Sequence, residues 1–110
     1  MAAYYQSEDL KKLGDVSQGA PELWDHFQRW YGDVFKDGAL TGREKALIAL
    51  AVANLIQCPY CIEVYTRNCQ ETGSNLEQMT EALHVAAALK AGAVLAHGVQ
   101  LKAVHDRLSM

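Results

Sequence analysis

This 110-residue chain has little of what usually interrupts or staples a fold. Its two prolines are Pro21 and Pro59, so few positions are closed to helix. No stretch alternates apolar and polar residues in the manner of a strand, and no Asn-Gly pair signals a hairpin. The three cysteines, Cys58, Cys61 and Cys69, are an odd number, which argues against a secreted disulfide framework. Basic residues are scattered and the net charge is -3, so the basic stripe of a nucleic-acid binder is missing. The opening M-A-A-Y-Y-Q-S-E-D-L has no basic region followed by an apolar one, so no signal peptide is expected. The longest apolar run, Ala46 to Ile56 with Asn54 inside it, falls short of a membrane span. A cytoplasmic setting is expected, with neither nucleic acid nor membrane as partner.

What the chain does have is helix. Half its residues are apolar, enough for one modest core, and a single domain over residues 1–110 is expected. Ser7 can cap a short helix from Glu8 to Leu13, with Gly14 past its end and a loop over residues 14–20. Pro21 suits a first helical position, and Leu23, Phe27, Trp30 or Tyr31, and Val34 recur behind it at helical spacing. Thr41 and Glu44 form a capping box ahead of a helix from Gly42 to Gln57 that is apolar nearly all round. So small a chain can scarcely surround such a helix, which predicts packing against another subunit, the alternative being a central helix in a compact monomer. Pro59 starts a further helix, placing Cys58 near its N-cap and Cys61 in its first turn, with Gly73 as its stop. Ser74 and Glu77 predict another capping box, a helix from Asn75 to about Ala91, a break or kink at Gly92 and a last helix from Ala93 to Leu108. The expected fold is all-α, with five or six helices.

Cys58 and Cys61 carry the chemistry. Two thiols three positions apart at a helix start can form and break a disulfide with little backbone movement, and the helix dipole there favours a thiolate. Their tetrapeptide, C-P-Y-C, matches the glutaredoxin motif. That fold places a strand before the motif and a cis-proline after it. Here a helix precedes it, and no proline follows Pro59. The glutaredoxin fold is therefore excluded, though its dithiol chemistry is not.

The run L-T-G-R-E-K-A-L-I-A-L-A-V-A-N-L-I-Q-C-P-Y-C-I-E-V-Y-T-R, from Leu40 to Arg67, followed by E-A-L at Glu81 to Leu83, resembles the alkyl hydroperoxidase D-like branch of the carboxymuconolactone decarboxylase family. The resemblance implies a helical homo-oligomer. It also implies a peroxidase-like enzyme in which one cysteine attacks a hydroperoxide, the other resolves the sulfenic acid, and a separate thiol reductant resets the disulfide. By the same resemblance Cys61 attacks and Cys58 resolves, whereas position at a helix N-terminus also favours Cys58. The family's usual glutamate and histidine relay falls at Ala46 and Tyr65 here, so both members are replaced. The chain thus resembles a divergent subgroup and, more loosely, the peroxidase-like proteins associated with arsenosugar biosynthesis, which share C-P-Y-C-I followed by Y-T.

Several side chains could take the place of that relay. Tyr65 lies one turn after Cys61, so its hydroxyl either meets a thiol or oxyanion or points to water. Glu63 could flank Cys58 as a base or be a solvated glutamate. His97, on the apolar stripe Val94, His97, Leu101, Val104 and Leu108, is either a base or a histidine satisfied in a core. Glu44 is turned about 200° from the usual glutamate position, and its capping role accounts for it. Glu81 and His84 read as a local pair, His26 and His105 as partly exposed, and Cys69 as a small buried filler or a third redox thiol. Cys61 and Cys69 are about 12 Å apart along one helix, too far to share a tetrahedral zinc. A site of Cys58, Cys61 and histidines stays open, but zinc-finger spacing is lacking, and no metal or cofactor is expected. Two other functions compete: a dithiol protein that binds a soft ligand such as trivalent arsenic, and a non-catalytic, redox-sensing oligomer. Decarboxylase chemistry ranks last, since nothing identifies a lactone pocket.

Overall fold

Pro21 opens the first α-helix, α1 (Pro21–Val34), as its missing N–H predicts. A computed structural model describes residues 5–110, so the N-terminal reading rests in part on residues outside that range. Helix α2 (Gly42–Leu55) starts at the expected capping box. Thr41 Oγ1 accepts from the Glu44 N–H at 3.1 Å, and the Glu44 carboxylate accepts from the Thr41 N–H at 2.9 Å. These bonds hold the Glu44 carboxyl below its ordinary range. Helices α3 (Pro59–Glu71) and α4 (Leu76–Leu108) follow, and all the regular structure among the described residues is helical.

Three expectations are corrected. The N-terminal segment is a 3-10 helix over Ser7–Ser17, running past Gly14 through most of the expected loop. Ser7 does not cap it; the Ser7 hydroxyl donates to the Glu63 carboxylate instead. Secondly, Asn75 rather than Ser74 caps α4, in a capping box with Gln78. Ser74 is already engaged in ending α3. Its N–H donates to the Cys69 carbonyl at 2.8 Å while that of Gly73 donates to Gln70, a Schellman closure that needs the left-handed φ of +91° at Gly73. Thirdly, Gly92 does not break the chain, and the two expected C-terminal helices are one helix of 33 residues. A glycine costs an interior helical position only about 1 kcal/mol against alanine. Ala86, Ala87, Ala88, Ala91, Ala93 and Ala96 surround Gly92 with the best helix former. The merged helix is long and apolar enough to cross a membrane by length and composition, which neither expected half was.

The core lies where α2 meets α3 and the first half of α4. Ala46, Leu50, Tyr65, Cys69 and Met79 are buried there, with Phe35, Leu47, Ala49, Cys61 and Val64 packed around them. Cys69 is fully buried, and burial pushes its thiol up from the ordinary value. Helix α2 is not buried on every side within one chain: Ile48, Val52 and Ile56 are exposed. On α4 the exposed apolar residues include Val85, Leu89, Val94, Leu95, Val99, Leu101 and Leu108. The radius of gyration is 19.0 Å, against about 13 Å for a compact domain of this length.

Candidate redox site

Two helix ends meet at Cys58. Helix α2 closes in a Schellman motif: the Gln57 N–H donates to the Asn54 carbonyl at 3.2 Å and the Cys58 N–H to the Ala53 carbonyl at 3.0 Å. Gln57 takes the left-handed position, at φ 58°, that glycine usually holds. The residue that finishes this closure is also the N-cap of α3, with Pro59 at the next position. The Cys58 sulfur accepts from the Cys61 N–H at 3.3 Å, as a capping oxygen would. A negative charge at Cys58 is therefore met by a backbone donor and by the positive end of α3.

The Cys58 and Cys61 sulfurs lie 2.7 Å apart and are not bonded. A disulfide bond is about 2.05 Å long, so only a short approach separates dithiol from disulfide. The two thiols differ in surroundings. Burial first, then the hydrogen bond with Cys58 and the charge on it, push the Cys61 thiol up to about 11. Alkylation requires thiolate, so modification of Cys61 by iodoacetamide should be slow at neutral pH and accelerate as pH rises toward about 11. In Cys58→Ser the hydrogen bond with that thiol and its charge are gone while burial remains, so the acceleration should begin at lower pH. Peptide mapping of the alkylated protein across pH checks both outcomes.

Two cavities adjoin the dithiol. One, of about 440 Å³, lies under α2 and is walled by Val34, Phe35, Lys45, Ile48 and Val52 among others. Lys45 Nζ donates to the Lys36 carbonyl. The other, of about 840 Å³, lies between the 3-10 segment, α1 and α3 and includes Leu10, Leu13, Trp24, Phe27 and Cys58. Tyr31, Cys61 and Tyr65 are common to both walls. Tyr65 is buried, with its ring stacked on Phe35 at 5.2 Å. Beside the larger cavity the 3-10 segment is tied to α3: the Tyr60 hydroxyl donates to Asp9 at 2.9 Å, and the Tyr5 ring meets that of Tyr60 edge-on at 4.5 Å.

The other sequence candidates lie elsewhere. Glu63 accepts from Ser7 and faces Arg67 at 4.0 Å, and the Ser7 bond above all holds its carboxyl below the ordinary range. It lines neither cavity. His97 is exposed on α4 and lines neither cavity, so one chain does not bring it to the dithiol. Its apolar stripe has no core to enter within one chain. His84 and Glu81 are both exposed, and no ion pair joins them. Among the described residues no three His, Cys, Asp or Glu side chains gather as a metal site. Sequence reasoning missed Tyr31 as a site residue, since its place on the α1 stripe marked it only as one candidate core position.

A pair of thiols at a helix start, set in an all-α fold beside apolar cavities, defines a helical dithiol protein. The model of the carboxymuconolactone decarboxylase family matches residues 21–102, and the chain belongs to that family. It is 43% identical over 96 residues to "Uncharacterized protein 4 in cox locus" of Paracoccus denitrificans, covering 87% of this chain and 86% of that one. A protein of Methanobacterium thermoautotrophicum, solved by crystallography as a structural genomics target, is similar in fold with a TM-score of 0.74 at 28% identity. That match covers 78% of this chain and 97% of the other.

Proposed function

We propose that this chain is a peroxidase-like thiol-disulfide redox enzyme of the alkyl hydroperoxidase D-like branch, cycling Cys58 and Cys61 between dithiol and disulfide against a hydroperoxide. The observation that carries this reading is the 2.7 Å approach of two unbonded sulfurs, one of them serving as the N-cap of α3. The turnover is balanced: two thiols and one hydroperoxide give a disulfide, an alcohol and water. A separate thiol reductant restores the dithiol. The order of attack follows the charge. Cys58 attacks first because the α3 terminus supports its thiolate, and Cys61, which holds its proton to about 11, resolves. This reverses the order implied by the family resemblance, and the loss of the relay gives the reason. With Ala46 and Tyr65 in its places, those positions supply neither carboxylate nor imidazole to take the Cys61 proton. The apolar cavity walls suit an oxidant with an apolar substituent.

The working form in this reading is a cytoplasmic homo-oligomer whose copies cover the exposed faces of α2 and α4. Lys90, near the middle of α4, suits a helix between protein copies better than one in lipid. The test is intact mass with thiol counting on reduced, metal-free protein, before and after one equivalent of cumene hydroperoxide. Loss of two thiols, mapped to a Cys58–Cys61 disulfide, is expected. Three unchanged thiols would overturn the reading.

A further inference from the structure

We propose that Tyr31 is the acid of this site, its phenol donating a proton to the leaving oxygen of a hydroperoxide held in the larger cavity. The assignment rests on the redox reading above and adds a catalytic residue to it. Tyr31 stands on α1, outside the C-x-x-C helix, yet it shares a wall of the larger cavity with both Cys58 and Cys61. It also reaches the smaller cavity beside Cys61. Its ring is held by Phe27 at 5.4 Å and Phe35 at 5.1 Å, while its hydroxyl makes no hydrogen bond to any described residue. The phenol is thus fixed at the ring end and free at the oxygen, as an acid awaiting a substrate would be.

The other groups on that wall are less suited. Asp9 is an acceptor already engaged by Tyr60, and Lys12, on the 3-10 segment, has no ring contacts of the kind that fix Tyr31. Tyr65 shares the wall and also packs on Phe35, but it is 5% exposed against 39% for Tyr31, which is the more open of the two to an entering substrate. Burial first, then charge on Cys61 and on Cys58, raise the Tyr31 phenol above its ordinary value, which keeps it protonated at neutral pH.

The chemistry closes on the two thiols and the hydroperoxide. The Cys58 thiolate supplies the electron pair of a new S–O bond, the O–O bond breaks, and the leaving alkoxide takes the Tyr31 proton to become an alcohol. Cys58 is now a sulfenic acid and Tyr31 a tyrosinate. The tyrosinate removes the Cys61 proton. The Cys61 thiolate attacks the Cys58 sulfur. The departing hydroxide takes up the proton that Cys58 first released, leaving water and a disulfide.

The test compares two oxidants in single-turnover kinetics on wild type, Tyr31→Phe and Tyr65→Phe. Cumene hydroperoxide has a leaving alkoxide that needs a proton; dithiobis-nitrobenzoate has a leaving aromatic thiolate that does not. In Tyr31→Phe the hydroperoxide reaction should slow on the order of 10²-fold. The aromatic disulfide should react at the wild-type rate, and the end-point loss of two thiols should persist. Equal slowing with both oxidants would make Tyr31 a structural residue and overturn the assignment. So would an unchanged hydroperoxide rate, or the selective loss appearing in Tyr65→Phe instead. A wild-type protein whose thiols survive the hydroperoxide while still reacting with the aromatic disulfide would overturn the peroxidase reading itself, and Tyr31's role with it.

Discussion

Replacing Cys58 by serine is expected to abolish hydroperoxide turnover at neutral pH, and replacing Cys61 is expected to abolish it too, by stopping the reaction one step later. In Cys61→Ser the Cys58 sulfur keeps its position at the α3 terminus, because the amide it accepts from belongs to the backbone of residue 61. It should therefore be oxidised once and stop as a sulfenic acid, trapped by dimedone as a single adduct at Cys58. In Cys58→Ser the remaining site thiol is Cys61, half-buried and no longer next to a second sulfur. Desolvation, the largest influence on it, persists, so its thiolate stays scarce and dimedone should label it only slowly at neutral pH. A dimedone adduct at Cys61 in Cys58→Ser, formed as fast as wild type forms its disulfide, would restore the opposite order of attack. Full turnover in either variant would end the two-cysteine mechanism. Cys69 offers no substitute thiol. It is fully buried in the core, two turns from Cys61 on the same helix.

These outcomes depend on a corner that was largely legible from residue types. Thr41 with Glu44, Pro59 after Cys58, and Gly73 after α3 each determine a local backbone choice within three or four residues. They placed α2, α3 and the cysteines between them. Local rules failed where two of them competed for one residue. Ser74 could cap α4 or complete the closure of α3, and the closure took it because Asn75, one position on, caps just as well. Glycine weakens helix, so Gly92 suggests a break or kink, but about 1 kcal/mol is small against a long alanine-rich helix. Gln57 carries no signal for a left-handed residue; the need for one arises only from the Schellman closure onto Cys58. Tyr31 could not be assigned to the site because its distance from the cysteines depends on how α1 packs, which short-range periodicity does not contain. His97 is the reverse case. Its position on an apolar stripe suggested a core, and within one chain that stripe is uncovered.

A carboxylate on the exposed apolar surface of α4 opposite that stripe should reveal whether another copy covers the helix. Leu95 is 77% exposed in the single chain and Val99 is 72% exposed. If the chain worked alone, Leu95→Asp would be an ordinary surface substitution, changing stability by at most about 0.5 kcal/mol apart from a small helix-propensity loss. If copies pack here, the same aspartate must enter an apolar interface unpaired, at a cost of several kcal/mol. Association should then fail before folding does. Sedimentation equilibrium should find wild type as a multiple of 12.1 kDa, with a thermal midpoint that rises with protein concentration. Leu95→Asp should sediment near 12.1 kDa and unfold at a lower, concentration-independent temperature. Shape motivates the same expectation. A helix of 33 residues is about 50 Å long, and the α2, α3 and α4 core covers chiefly its first turns. A wild type that sediments at 12.1 kDa over the whole range, with Leu95→Asp unfolding alongside it, would show that this surface of α4 faces water. Recovery of wild type only with lipid vesicles would instead turn the length and composition of α4 toward a bilayer.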